Sequence, residues 1–140
     1  MNGAALDADA RASLAEAFAR VPYARLLGLE FVSAERGAAT FALDWREELS
    51  RMEGILHGGA IVSLLDTAAA FAVMTVLPPG GRTVTVDLTV HFLRPVSSGR
   101  IEARARVLRD GRRICVLQVE ATDQLGVLIS TATTTYAKQA

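Results

Sequence analysis

The run Gly54-Ile55-Leu56-His57-Gly58-Gly59 leads straight into an apolar segment that carries one carboxylate, Asp66, nine residues after the histidine. A His-Gly-Gly turn that opens a helix presents backbone N–H groups with no side chain to shield them, at the positive end of the helix dipole. Such a terminus can hold developing negative charge. From Ala60 to Leu77 no other charged residue occurs, so Asp66 is either a buried liability or a working group. An oxyanion-type donor with a carboxylate two to three turns away is the minimum kit for hydrolysing an acyl compound.

The rest of the composition narrows the setting. A chain of 140 residues suits one domain with one core. With 51% hydrophobic and 21% charged residues it is not a disordered chain. Fifteen basic and fifteen acidic residues give zero net charge, so no whole-protein field argues for nucleic acid. Basic residues do cluster between Arg94 and Arg113, but without the interleaved aromatics of a nucleic-acid surface. Cys115 is the only cysteine and lies in the apolar run Ile114-Cys115-Val116-Leu117. It reads as a core residue, excludes an intramolecular disulfide and fits a reducing, cytoplasmic compartment. His57 and His91 are the only histidines, and no metal site is expected. The N-terminal stretch Met1 to Arg20 carries Asp7, Asp9 and Glu16 and lacks a signal-peptide core, so secretion is not expected. Gly58 to Leu77 could span a bilayer by length, but a central Asp costs about 2.5–3.5 kcal/mol there. It reads as a buried core helix, and no membrane partner is expected.

Elements that could position these residues follow from periodicity. Leu6, Ala10, Leu14, Ala17, Phe18 and Val21 recur at helical spacing and predict an amphipathic helix stopped by Pro22. Leu29–Glu35 and Ala38–Asp44 predict a hairpin around Arg36-Gly37, and Trp45 to Glu53 a charged loop. A helix from about Leu56 to Leu77 is closed by Pro78-Pro79-Gly80-Gly81. Val84, Val86, Leu88, Val90 and Phe92 alternate with Thr83, Thr85, Asp87, Thr89 and His91, predicting a strand with one core face and one polar face. Arg100–Leu108, Arg112–Thr122 and Val127–Tyr136 predict three more strands, the first two joined by a tight turn at Asp110-Gly111. One apolar helix and a long antiparallel sheet make an α+β domain. The helix of residues 1–22 is expected to dock on the domain formed by residues 23–140.

These residues carry a resemblance. Gly54-x-x-His57-Gly58-Gly59, Asp66, Thr83 to Leu88, Phe92-Leu93-Arg94-Pro95, Gly99, Val107 to Arg112 and Asp123-x-x-Gly126 together resemble the hotdog-fold acyl-CoA thioesterases, in the phenylacetyl-CoA thioesterase-like (PaaI-like) branch. The resemblance spans Leu27 to Tyr136. It implies a sheet wrapped around one central helix, and a dimer joined edge to edge through the strand of Val84 to Phe92, often paired into a tetramer. Active sites would lie at the dimer interface, the carboxylate from one subunit and the His-Gly turn from the other.

Residue by residue, the resemblance makes Asp66 the catalytic carboxylate, a general base toward water or a nucleophile. Gly58 would polarise the thioester carbonyl through its N–H, and His57 would shape that turn. Thr85 would lie near the acyl group or the attacking water. The segments Phe92 to Ser97 and Arg109 to Ile114 would contact coenzyme A, with Phe92, Leu93, Arg94, Ser97, Arg109, Gly111 and Arg112 as the contact residues. Coenzyme A is then part of the substrate, and no separate cofactor is expected. One position departs from the pattern: six residues before the histidine, where the family commonly has Asn or Gln, stands Arg51. Its guanidinium could polarise a carbonyl or pair with Asp66 and quiet it. The implied activity is hydrolysis of an acyl or aryl-acyl thioester to the acid and free coenzyme A. The alternatives are a non-catalytic acyl-CoA-binding module, which Arg51 keeps open, and a hydratase on the same fold, whose His-and-Asp dyad is not recognisable here.

Overall fold

The computed structural model describes residues 3–139, so Met1, Asn2 and Ala140, the outer ends of the two expected segments, lie outside it. Helix α1 spans Ala8–Ala19, and the Asp7 carboxylate caps it by accepting from the Ala10 N–H at 2.7 Å. Pro22 does end that helix, but it also opens a second one, α2, at Pro22–Leu27. A proline at the first helical position gives up only an N–H that had no partner. Leu14 of α1 is buried, and Phe18 packs edge-on against Phe41 and Phe71, at 5.0 and 5.8 Å between ring centres.

Six antiparallel strands follow: β1 Glu30–Glu35, β2 Ala38–Asp44, β3 Arg82–Phe92, β4 Arg100–Asp110, β5 Ile114–Thr122 and β6 Leu128–Gln139. Helix α3, Gly58–Met74, separates β2 from β3 in the chain, and the sheet order is β1-β2-β4-β5-β6-β3. Ala39, Ala103, Ala105 and Ala121 on the sheet and Ala68, Ala69 and Ala72 on α3 are all fully buried in one core. Small residues on both surfaces let the helix lie close to the strands that cover it. Its C-terminal end is pinned through Thr75, whose hydroxyl donates to the Ala72 carbonyl and accepts from the Gly37 N–H, both at 2.7 Å. Among the described residues no helix is long and apolar enough to cross a membrane.

The sheet has two unlike edges. Beside β1 the N-terminal segment forms an antiparallel bridge, Ala5 to Glu35, and the Arg36 N–H donates to Ala4 at 2.8 Å. Strand β3 stands at the other edge with Val84, Val86 and Phe92 at 45%, 58% and 54% exposure. The strict alternation expected of β3 does not hold. Its register against β6 shifts between Thr85 and Asp87, a β-bulge at Val86. Before the bulge Thr85 faces the helix; after it Leu88 and Val90 do. A bare apolar edge invites pairing with another strand. Light scattering on the wild-type chain is expected to give a mass above that of one chain. Val86→Lys, which plants a charge on that edge, is expected to shift the mass toward the single chain with the fold intact by circular dichroism.

Candidate active site

The turn before α3 is assembled by hydrogen bonds from four directions. Two short 3₁₀ turns, Glu47–Leu49 and Met52–Gly54, replace the expected loop. Glu53 and Gly54 both take positive φ, 68° and 71°, which reverses the chain. The Trp45 indole N–H donates to the Gly54 carbonyl at 3.0 Å. Beyond it the Arg51 N–H donates to Ile55, the Leu56 N–H to Val96 and the His57 N–H to Leu49, at 2.7, 2.7 and 2.8 Å. The helix therefore enters at a set position.

His57 is the N-cap residue of α3, and its Nδ1 accepts from the Gly59 N–H at 2.7 Å. A Cβ on Gly59 would stand 3.0 Å from that same Nδ1, a tight contact that glycine avoids. The lone pair on Nδ1 is used in holding the turn. The Gly58 N–H has no partner among the described residues. The Phe92 ring would lie 3.3 Å from a Cβ on Gly58. Glycine lets that ring sit close without being displaced, and the bare backbone leaves an open donor at the positive end of the helix.

Asp66 lies in the same helix, half-buried. Its Oδ1 accepts from the Thr85 hydroxyl at 3.0 Å and from the Tyr136 hydroxyl, which is also 2.8 Å from the Asp66 carbonyl oxygen. Thr85 and Tyr136 stand opposite one another on β3 and β6; Tyr136 faces the helix by the regular alternation of β6, and the bulge at Val86 is what puts Thr85 on the same side. Burial, reinforced by its hydrogen bond to Asp66, pushes the Tyr136 phenol far above its ordinary range, so it stays a donor. Sequence reasoning missed Tyr136. The signal available was a single aromatic residue closing a threonine-rich strand, Thr131 to Thr135. Cys115 is fully buried on β5, and desolvation, with Asp110 adding to it, pushes its thiol to about 11. It is a core residue.

The other candidate residues fall into two groups. Phe92, Leu93 and Arg94 line a cleft of about 280 Å³ with Gly58 and Ile61, and Arg94 donates to the Leu128 carbonyl at 2.8 Å. Ser97 is exposed in the following loop. Arg109, Gly111 and Arg112 line a second cleft of about 340 Å³ at the β4–β5 turn. That turn joins the sheet near Lys138, which pairs with Thr83 at the start of β3. Phe92 ends the same strand, about 30 Å from Thr83 along an extended chain. Arg51 is exposed and makes no ion pair among the described residues. Gly58 and Asp66 are eight residues apart on one helix, about 12 Å along its axis.

Comparison with known proteins gives this arrangement a family. The thioesterase superfamily model matches residues 53–130, more than half of the 140. A protein of Saccharolobus solfataricus that bears an esterase name is 36% identical over 97 residues, a match covering 69% of this chain but 64% of that protein, a little under two thirds of its length. The medium/long-chain acyl-CoA thioesterase YigI of Salmonella typhimurium is 31% identical over 131 residues, with 83% of this chain and 84% of that one covered. In fold, the chain superposes on the E. coli PaaI protein from the phenylacetic acid degradation operon with a TM-score of 0.86 at 24% identity, covering 94% of this chain and 95% of that one. The chain belongs to the thioesterase superfamily, as a thioester hydrolase with the PaaI-like hotdog fold.

Proposed function

We propose that the enzyme hydrolyses an acyl- or aryl-acyl-coenzyme A to the free acid and coenzyme A, with Asp66 of one subunit and the Gly58 N–H of another acting on the same thioester. The observation that carries this reading is a carboxylate held by two hydroxyls in an otherwise uncharged helix, on a chain that also offers an unpartnered N–H at that helix's start. A reacting carbonyl must sit about 3 Å from both donor and base. One chain cannot meet that condition, because Gly58 and Asp66 are separated by more than two turns. Antiparallel pairing of two β3 edges brings the start of one strand beside the end of its copy. The same operation sets the Arg109–Arg112 turn of one subunit near the Phe92–Ser97 segment of the other, which gives a single coenzyme A two contact regions.

In this reaction the carbonyl oxygen accepts the Gly58 N–H, a donor whose loss typically costs about 2.7–4 kcal/mol of barrier. Asp66 takes a proton from water as the water oxygen bonds to the carbonyl carbon. The tetrahedral stage then expels the coenzyme A thiolate, breaking the C–S bond, and the proton passes on to solvent or thiolate. Asp66 could instead attack directly, and an anhydride would then be hydrolysed. The acyl-CoA substrate of YigI supports the choice of thioester. Thr85 faces the acyl group or the water, and His57 keeps the Gly58 turn in shape. We place the enzyme in the cytoplasm as a dimer or a dimer of dimers, needing no cofactor beyond the coenzyme A of its substrate. The rival reading, a non-catalytic acyl-CoA-binding module, rests on Arg51 standing where an amide is usual.

A thiol-release assay over a panel of acyl-CoAs is expected to show turnover, and binding without released thiol would favour the rival. Asp66→Asn is expected to lower turnover by at least about 10²-fold with the fold retained, the loss expected of a general base. Near-normal turnover would end this mechanism. Arg51→Asn is expected to leave activity within about tenfold, since an amide donates a comparable hydrogen bond at a cost of about 1 kcal/mol. Activity well above wild type would instead mean that Arg51 holds Asp66 in check across the interface.

A further inference from the structure

The geometry points to Tyr136 as the residue that positions the Asp66 carboxylate, tying Oδ1 into the sheet so that Oδ2 alone is the reacting oxygen. The inference rests on the reading of Asp66 as base or nucleophile and goes further, to which of its oxygens reacts and what aims it. Both donors converge on Oδ1: the Tyr136 hydroxyl from β6 and the Thr85 hydroxyl from β3. Oδ2 takes no donor among the described residues, and it is not among the polar atoms buried without a partner. One oxygen is therefore held from behind and the other is open.

The two donors are not equivalent. Thr85 is exposed and sits where a substrate or water could reach it, whereas Tyr136 is 2% exposed and meets nothing from outside. Tyr136 also reaches the backbone carbonyl of Asp66, so one phenol references the carboxylate to the helix that carries it. That fixes the χ angles of a short side chain, and orientation of a reacting group is worth large factors in rate. The surroundings make Tyr136 the titratable group that governs this carboxylate. No ion pair among the described residues includes Asp66. From β3 comes the neutral Thr85; the helix-facing positions of β2, β4 and β5 are apolar apart from the buried Cys115 thiol. β1 lies beyond β2 at the far edge, and His57 sits at the start of α3 with its Nδ1 engaged.

Tyr136→Phe keeps the ring and removes only the donor. It is expected to lower kcat by about ten- to a hundredfold, the size of one hydrogen bond to a charged group, with KM little changed. The acid limb of its pH–rate profile is expected to move to higher pH, because a carboxylate that loses a donor holds its proton more tightly. Thr85→Val, by contrast, is expected to move KM as well as kcat. A second measurement does not depend on the Tyr136→Phe variant folding. The chain has two tyrosines, Tyr23 and Tyr136, so 3-fluorotyrosine incorporated in a Tyr23→Phe background changes only position 136. A more acidic phenol is a stronger donor, and the acid limb is then expected to move to lower pH, opposite to the Phe variant. If wild type turns over acyl-CoA and Asp66→Asn does not, while both Tyr136 changes leave kcat and the acid limb where they were, the inference is overturned and the proposed function stands. If Asp66→Asn is as active as wild type, both fall.

Discussion

A carboxylate can sit part-way along a covered helix only if something replaces the hydrogen bonds that water would have given it. In this chain that replacement comes from two hydroxyls on neighbouring strands, Thr85 and Tyr136, and much of the architecture serves to bring them there. α3 has to run against the sheet closely enough for β6 to touch its backbone, which the facing alanines permit. β3 has to turn a threonine inward from an edge, which its bulge accomplishes. The two ends of the helix are then fastened, at Leu56 to Val96 before its first turn and at Thr75 to Gly37 at its last. A helix so held cannot rotate about its axis without losing the contacts that keep its one acid hydrated by protein.

The glycines at the head of α3 answer a different demand. Phe92 closes over Gly58, and the His57 ring folds back onto the Gly59 N–H. Glycine at both positions spares a tight contact, with the ring of β3 at one and with the ring of its own cap at the other. The result is an N-terminus whose second amide is spent on the histidine and whose first is left over. Polarity and shape are thus settled by three consecutive residues, and the chemistry needs only that the left-over donor meet a carbonyl.

Most of the element order was legible because it rests on local signals. The Pro-Pro-Gly-Gly break, the helix with a single charge and the alternation in β4 each act within one turn or one pleat, and each has its counterpart in the structure. What escaped was non-local. Valine and threonine alternate without interruption through Val86, so nothing in the pattern marks the residue where the register slips. The alternation put Thr85 on a polar face away from the core, and only pairing with β6 reverses that. Tyr136 is seventy residues from the carboxylate it touches, so no spacing rule could link them. Pro22 was read as a stop, although proline is as welcome at a helix's first position as it is foreign to its interior.

The short bridge from Ala5 to Glu35 has a consequence out of proportion to its size. Sheets lengthen by edge addition, and a molecule with two receptive edges can recruit neighbours without end, in the manner of a fibre. Here one border is bridged at Glu35 by the N-terminal segment, while the other is bare. Where two such bare borders pair, a single partner uses up the one edge that carries no bridge. A larger assembly would then stack through faces, and the outward face carries Arg100 and Arg104 paired with Glu30, Glu35 and Glu102. The bridge at Ala5, a residue with no side chain larger than a methyl group, thus makes the two borders unequal as places for growth.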